Sequence, residues 1–114
     1  MENTVYQKSF RFAVRIVKLC RYLRDEKKEP TLSKQLLRCG TSIGANLAEA
    51  QQAQSRADFA SKVNISLKET AEAEYWLRLL YESSYLSKIQ FDSIYADCDE
   101  IKRLLVAIVK TMKQ

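Results

Sequence analysis

Histidine is absent from this chain of 114 residues, glycine occurs twice and proline once. Without histidine there is no Ser–His or Cys–His nucleophile pair, and no zinc site that uses an imidazole. So few turn formers argue against a sheet of many short strands and for a few long helices. No apolar run approaches the roughly 20 residues needed to cross a bilayer. The opening MENTVYQKSF has no basic stretch followed by an apolar one, so no signal peptide or membrane partner is expected, and the expected compartment is the cytoplasm. The three cysteines, Cys20, Cys39 and Cys98, form no Cys-x-x-Cys pair and sit among apolar neighbours. They read as buried free thiols acting as small hydrophobes, with a redox or nucleophilic role as the other reading.

Apolar residues make up 46% of the chain and charged residues 29%, the balance of an ordinary globular protein. The length suits one domain covering residues 1–114. The net charge of +5 is unevenly placed: residues 1–54 carry ten Lys/Arg against five Asp/Glu, and residues 55–114 carry nine of each. A surplus confined to one half suggests a directed basic face that attracts an anionic partner.

Four helices are expected, at about 4–28, 32–54, 56–82 and 88–112. The first should stop before Glu29-Pro30, because proline disfavours helical geometry in the residue ahead of it. Thr31 and Ser55 are the expected N-caps of the second and third, and Ser87-Lys-Ile-Gln90 matches a capping box for the fourth. In the fourth helix Phe91, Ile94, Cys98, Ile101, Leu105, Ile108 and Met112 recur in steps of three and four. The third repeats the pattern with Phe59, Val63, Ser66, Thr70, Ala73, Leu77 and Leu80. These are core stripes. Helices of matched length joined by short links give an all-α, antiparallel, up-down-up-down four-helix bundle.

The first helix is apolar over roughly 220° of its circumference at 100° per residue, whereas a surface helix needs little more than about 100°. Phe12, Ile16 and Leu19 lie in that arc, and the excess points to a homo-oligomer with this helix at the contact. A bundle that simply buries its first helix most deeply is the other reading. The rest of the circumference is basic. Lys8, Arg11, Arg15, Lys18 and Arg21 form a ridge around Tyr22. Cations in a row neutralise successive phosphates and an interleaved ring stacks on an unpaired base, so RNA or DNA is the expected partner. The plainer alternatives are a solvated face, or cations paired with Asp97, Asp99 and Glu100 of the fourth helix.

On the second helix Gly40, Gly44 and Ala48 line up small residues that let another backbone come close. Ser42, Asn46 and Glu49 occupy an adjacent face, and the third helix adds Glu69, Glu72 and Glu74. A di-iron bundle needs Glu-x-x-His on two helices, which this chain cannot supply. A slender closed bundle also offers a carboxylate pair no obvious cleft. No catalytic residue, metal or cofactor is therefore expected, and Ser42, Asn46 and Glu49 read as residues that fix helix register or line a subunit contact.

The stretch Gln35-Leu-Leu-Arg-Cys-Gly-Thr-Ser-Ile-Gly-Ala-Asn-Leu-Ala-Glu-Ala50, with the later Phe59…Ile65-Ser66-Leu67…Glu69…Glu72…Glu74…Trp76-Leu77, resembles the bacterial proteins encoded in 23S rRNA intervening sequences. That family includes the accessory variability determinants of diversity-generating retroelements. The resemblance spans nearly the whole chain and rests on the Ser-Ile-x-Ala-Asn-x-Ala-Glu core. It implies a four-helix bundle and a ring-shaped pentamer. In the retroelement branch it also implies nucleic-acid binding through a basic outer surface and a reverse transcriptase as partner. The chain departs from the family pattern at Gly44, where proline is common, and at Ala50, where glycine is common. A straighter and longer second helix is the expected consequence.

Overall fold

The computed structural model describes residues 4–113 as four α-helices: α1 (Thr4–Asp25), α2 (Pro30–Ala50), α3 (Arg56–Glu82) and α4 (Lys88–Met112). Each packs on the next and α1 closes the ring against α4, while among the described residues the backbones of diagonal helices stay further apart, as in an up-down-up-down bundle. The molecule measures 44 × 23 × 20 Å.

Local chemistry sets the ends of the helices. α1 stops at Asp25 rather than near Lys28, because Lys28 adopts a left-handed conformation (φ 56°) and the chain folds back. The amide of Glu29 then donates to the carbonyl of Leu23 at 2.9 Å. Glu29, not Thr31, caps α2: its carboxylate accepts from the amide of Leu32 at 2.6 Å, and Pro30 takes the first helical position, where a missing N–H costs nothing. α2 ends at Ala50 instead of running on to Gln54. Its last amides fold into tight turns, and the amide of Gln54 donates to Asp58 inside α3. Ser55 caps α3 by accepting from Asp58, and Ser87 and Gln90 form a reciprocal capping box on α4.

The core runs the length of the bundle. Val63, Ala73, Leu77 and Leu80 of α3 face Ile94, Cys98, Ile101 and Leu105 of α4, and all are buried. Phe91, Ile108 and Met112, at the ends of the α4 stripe, are half-buried. Two hydroxyls inside the core are satisfied locally: Ser66 donates to the carbonyl of Ile43 at 2.8 Å, and Thr70 to that of Ser66 at 2.7 Å. The first of these ties α3 to α2 through a backbone acceptor.

The glycines of α2 face α1. A Cβ on Gly40 would lie 2.9 Å from Cγ2 of Ile16, and one on Gly44 would lie 3.0 Å from Oγ of Ser9. Both partners are fully buried. Glycine here permits an approach that any side chain would block, which outweighs the roughly 1 kcal/mol it costs in helix propensity.

Gly40→Ala is therefore expected to lower stability by about 1–2 kcal/mol despite its better propensity, and Gly44→Ala, facing one hydroxyl, by less. In an Ile16→Ala background the Gly40→Ala penalty should vanish, because both clashing carbons are gone. Urea unfolding of the four proteins tests this; additive costs would show that the α1–α2 approach is not limited by these atoms.

Candidate functional site

α1 presents three sides to its surroundings, and the residues singled out from the sequence are divided among them. The first is the core. Phe12 is 1% exposed and Ile16 is 0% exposed, both enclosed by this chain's own helices, and Leu19 is half-buried against the same core. The expectation that Phe12 and Ile16 line a contact between subunits is corrected, because the bundle's own core encloses them, whereas Leu19 keeps a partly exposed edge. What remains open on α1 is a narrower strip of Phe10 (59% exposed), Val14 (41%) and Val17 (39%).

The second side faces α4 and carries part of the expected basic ridge. Lys8 pairs with Glu100 at 3.2 Å. Arg15 binds Asp97 at 2.6 Å and also donates to the hydroxyl and carbonyl of Ser93. Asp97 and Glu100 are three residues apart on α4 and their partners seven apart on α1, a difference that the long Lys8 and Arg15 side chains span. Tyr22 is half-buried, with part of its ring packed against the core. The single ridge read from the helical wheel is therefore corrected to two groups.

The third side faces outward. Arg11, Lys18 and Arg21 are exposed and have no ion pair among the described residues. They adjoin the Phe10–Val14–Val17 strip. Arg24, at the end of α1, is tied to Asp25 at 2.7 Å.

The polar row of α2 is largely inward to its own helix. Ser42 donates to the carbonyl of Arg38 at 2.7 Å, and Asn46 to that of Ser42 at 2.9 Å. Glu49 reaches α3, pairing with Lys62 at 2.8 Å, and this contact raises the Lys62 pKa above its ordinary value. Nearby, Arg38 bridges Glu69 and Glu72, and the indole of Trp76 donates to Glu72 at 3.0 Å. The Trp76 hydrogen bond, then Arg38, holds the Glu72 carboxyl below its ordinary 4.5.

Glu74 is buried, a feature the sequence reading missed. One carboxylate oxygen accepts from Lys102 at 2.7 Å and the other has no hydrogen-bond partner. The available signal was its position four residues after Thr70 and one after Ala73, at the edge of the α3 core stripe. The Lys102 pKa is raised, chiefly by this bond.

The three cysteines are buried and free. Burial pushes the Cys20 and Cys39 thiols up to about 12 and Cys98 higher still, so all three stay protonated at neutral pH and are poor nucleophiles. Among the described residues no group of acids or cysteines could hold a metal ion, and no helix is long and apolar enough to cross a membrane.

A family model described as 23S rRNA-intervening sequence protein matches residues 1–107. A crystal structure at 1.70 Å of a protein of unknown function, from the S23 ribosomal protein family of Bacteroides thetaiotaomicron, is 57% identical to this chain, with a TM-score of 0.92. The match covers 93% of this chain and 98% of that one. No curated protein shows a significant match.

The Glu72 cluster sets a pH dependence. A carboxyl whose folded pKa is depressed contributes stability above its unfolded value, lost as pH falls through the folded pKa. Trp76→Phe removes the largest cause, so the Glu72 pKa should move up toward 4.5 and acid unfolding should begin at higher pH. A carboxyl NMR titration reads the first effect and circular dichroism the second. An unmoved Glu72 pKa would refute the role given to the indole.

Proposed function

The chain belongs to the 23S rRNA-intervening sequence protein family, and we propose that it is a self-associating helical module that binds nucleic acid through the outward side of α1. One observation carries this reading: Arg11, Lys18 and Arg21 stand exposed and without an ion pair among the described residues, beside an open apolar strip. Cations already paired to carboxylates gain little from a phosphate, because the existing partner must be given up. Unpaired ones release condensed counterions from the nucleic acid at little cost to the protein. The strip of Phe10, Val14 and Val17 supplies an apolar patch for contact between copies. A ring of five copies, as the sequence resemblance implies, would repeat the basic side around an axis and multiply its attraction for a polyanion.

A second reading is an oligomeric scaffold or protein–protein adaptor that does not bind nucleic acid. It is favoured by the pairing of Lys8 and Arg15 with α4, which leaves fewer cations for phosphate.

Two measurements test the proposal. Binding of RNA and of DNA should weaken with salt, and Arg11→Glu/Arg21→Glu should reduce the log–log salt slope by about 2. Equal binding by parent and variant would favour the scaffold. Light scattering at micromolar concentration should give a mass above the 13.2 kDa of one chain, falling toward it in Phe10→Ser/Val14→Ser. A parent that scatters as a monomer would remove self-association.

A further inference from the structure

α1 packs less closely on α4 than neighbouring helices pack elsewhere in the ring, and the gap is a groove. At the end of the bundle formed by the close of α1 and the α3–α4 turn it opens into a cleft of about 820 Å³, lined by Tyr22, Lys27, Tyr81, Tyr85, Ile89 and Gln90 among others. Further along α1 lies a second hollow of about 420 Å³, lined by Arg15, Lys18, Leu19, Tyr22, Gln90 and Ile94. The two hollows adjoin at Tyr22 and Gln90, which line both and make them neighbouring parts of one aromatic-lined groove.

The rings of this channel are held from behind. Tyr81 stacks on Phe91 with centroids 4.6 Å apart and planes at 14°, and Phe91 meets Tyr95 at 4.9 Å. Tyr85 is placed by the turn: Ser84 takes a left-handed conformation (φ 68°), and the amide of Tyr85 donates to the carbonyl of Leu80 at 2.8 Å. Ile89, at the rim, is 83% exposed, the most exposed large apolar side chain among those described. Lys18 and Lys27 have no ion pair among the described residues, while Glu82 is the one acid lining the cleft and Arg15 is held by Asp97.

We propose that this channel binds an unpaired stretch of nucleic acid, its bases stacked on Tyr22, Tyr81 and Tyr85 and its phosphates near Lys18 and Lys27. The inference rests on the nucleic-acid reading above and adds which form is bound and where. Tyrosine rings reward only a base whose face is free, and in a duplex those faces are covered by the neighbouring base pairs. Lysines and tyrosines lining the same groove supply partners for both the phosphates and the bases of a single strand. RNA and DNA share this chemistry, and no group in the channel is assigned to the 2′-hydroxyl.

The test is fluorescence anisotropy at about 50 mM salt, with single strands of about 12 nucleotides in RNA and in DNA and a duplex of the same sequence. The parent should bind either single strand more tightly than the duplex. Tyr85→Leu should weaken single-strand binding at least tenfold and leave duplex binding unchanged, whereas Tyr85→Phe, which keeps the stacking face, should bind like the parent. Tyr22→Leu should repeat the Tyr85→Leu result, with folding of each variant confirmed by thermal melting. Suppose both leucine variants keep full single-strand affinity while Arg11→Glu/Arg21→Glu loses it. The channel is then not the site, and the outward side of α1 stands alone. A parent that binds neither form removes both proposals.

Discussion

The closeness of α1 to α2 governs the rest of the molecule. With no Cβ at Gly40 and Gly44, the backbone of α2 admits Ile16 and Ser9 of α1 to van der Waals contact. That approach turns Phe12, Ile16 and Leu23 into the shared core. It also pulls α1 toward one neighbour at the expense of the other. α4 is reached mainly through long side chains, Lys8 to Glu100 and Arg15 to Asp97, which span a distance that apolar packing does not close. The aromatic channel lies along this looser seam.

Charge in this protein is therefore a matter of position more than of sum. A net +5 is small, but its distribution separates cations that stitch helices together from cations that remain open. Exposed pairs such as Lys8–Glu100 contribute at most about 1 kcal/mol each. Their larger consequence is to leave Arg11, Lys18 and Arg21 as the open basic group on α1. The buried Glu74 follows a different rule. Its desolvation is offset by one short bond to Lys102 and not by a second donor, so the α3–α4 pair adds little net stability.

The structural relative supports the bundle, and neither it nor the family match settles an activity, because the relative is itself a protein of unknown function. Functional inference therefore has to come from which side chains are open. Two regions of the surface meet that standard: the outward side of α1 and the tyrosine-lined seam toward α4. They adjoin at Lys18, which is exposed on α1 and also lines the channel.

Much of the architecture was legible in the sequence. Apolar residues in steps of three and four, few turn formers, and capping residues at Ser55 and Ser87 are properties of local chain, and the helices obey them. The small residues at 40 and 44 signalled a close approach, since a glycine inside a helix has a cost that only packing offsets. Which helix came close was not legible. The wheel of α1 gave an apolar arc and a basic ridge, but a wheel has no neighbours. It could offer pairing with Asp97 and Glu100 only as an alternative, and could not show that the core encloses Phe12 and Ile16, or that Tyr22 joins Tyr81 and Tyr85 across residues far apart in the chain. Periodicity is written in one helix at a time. Burial, pairing and the shape of a groove arise only when helices meet, and the tertiary structure decided those.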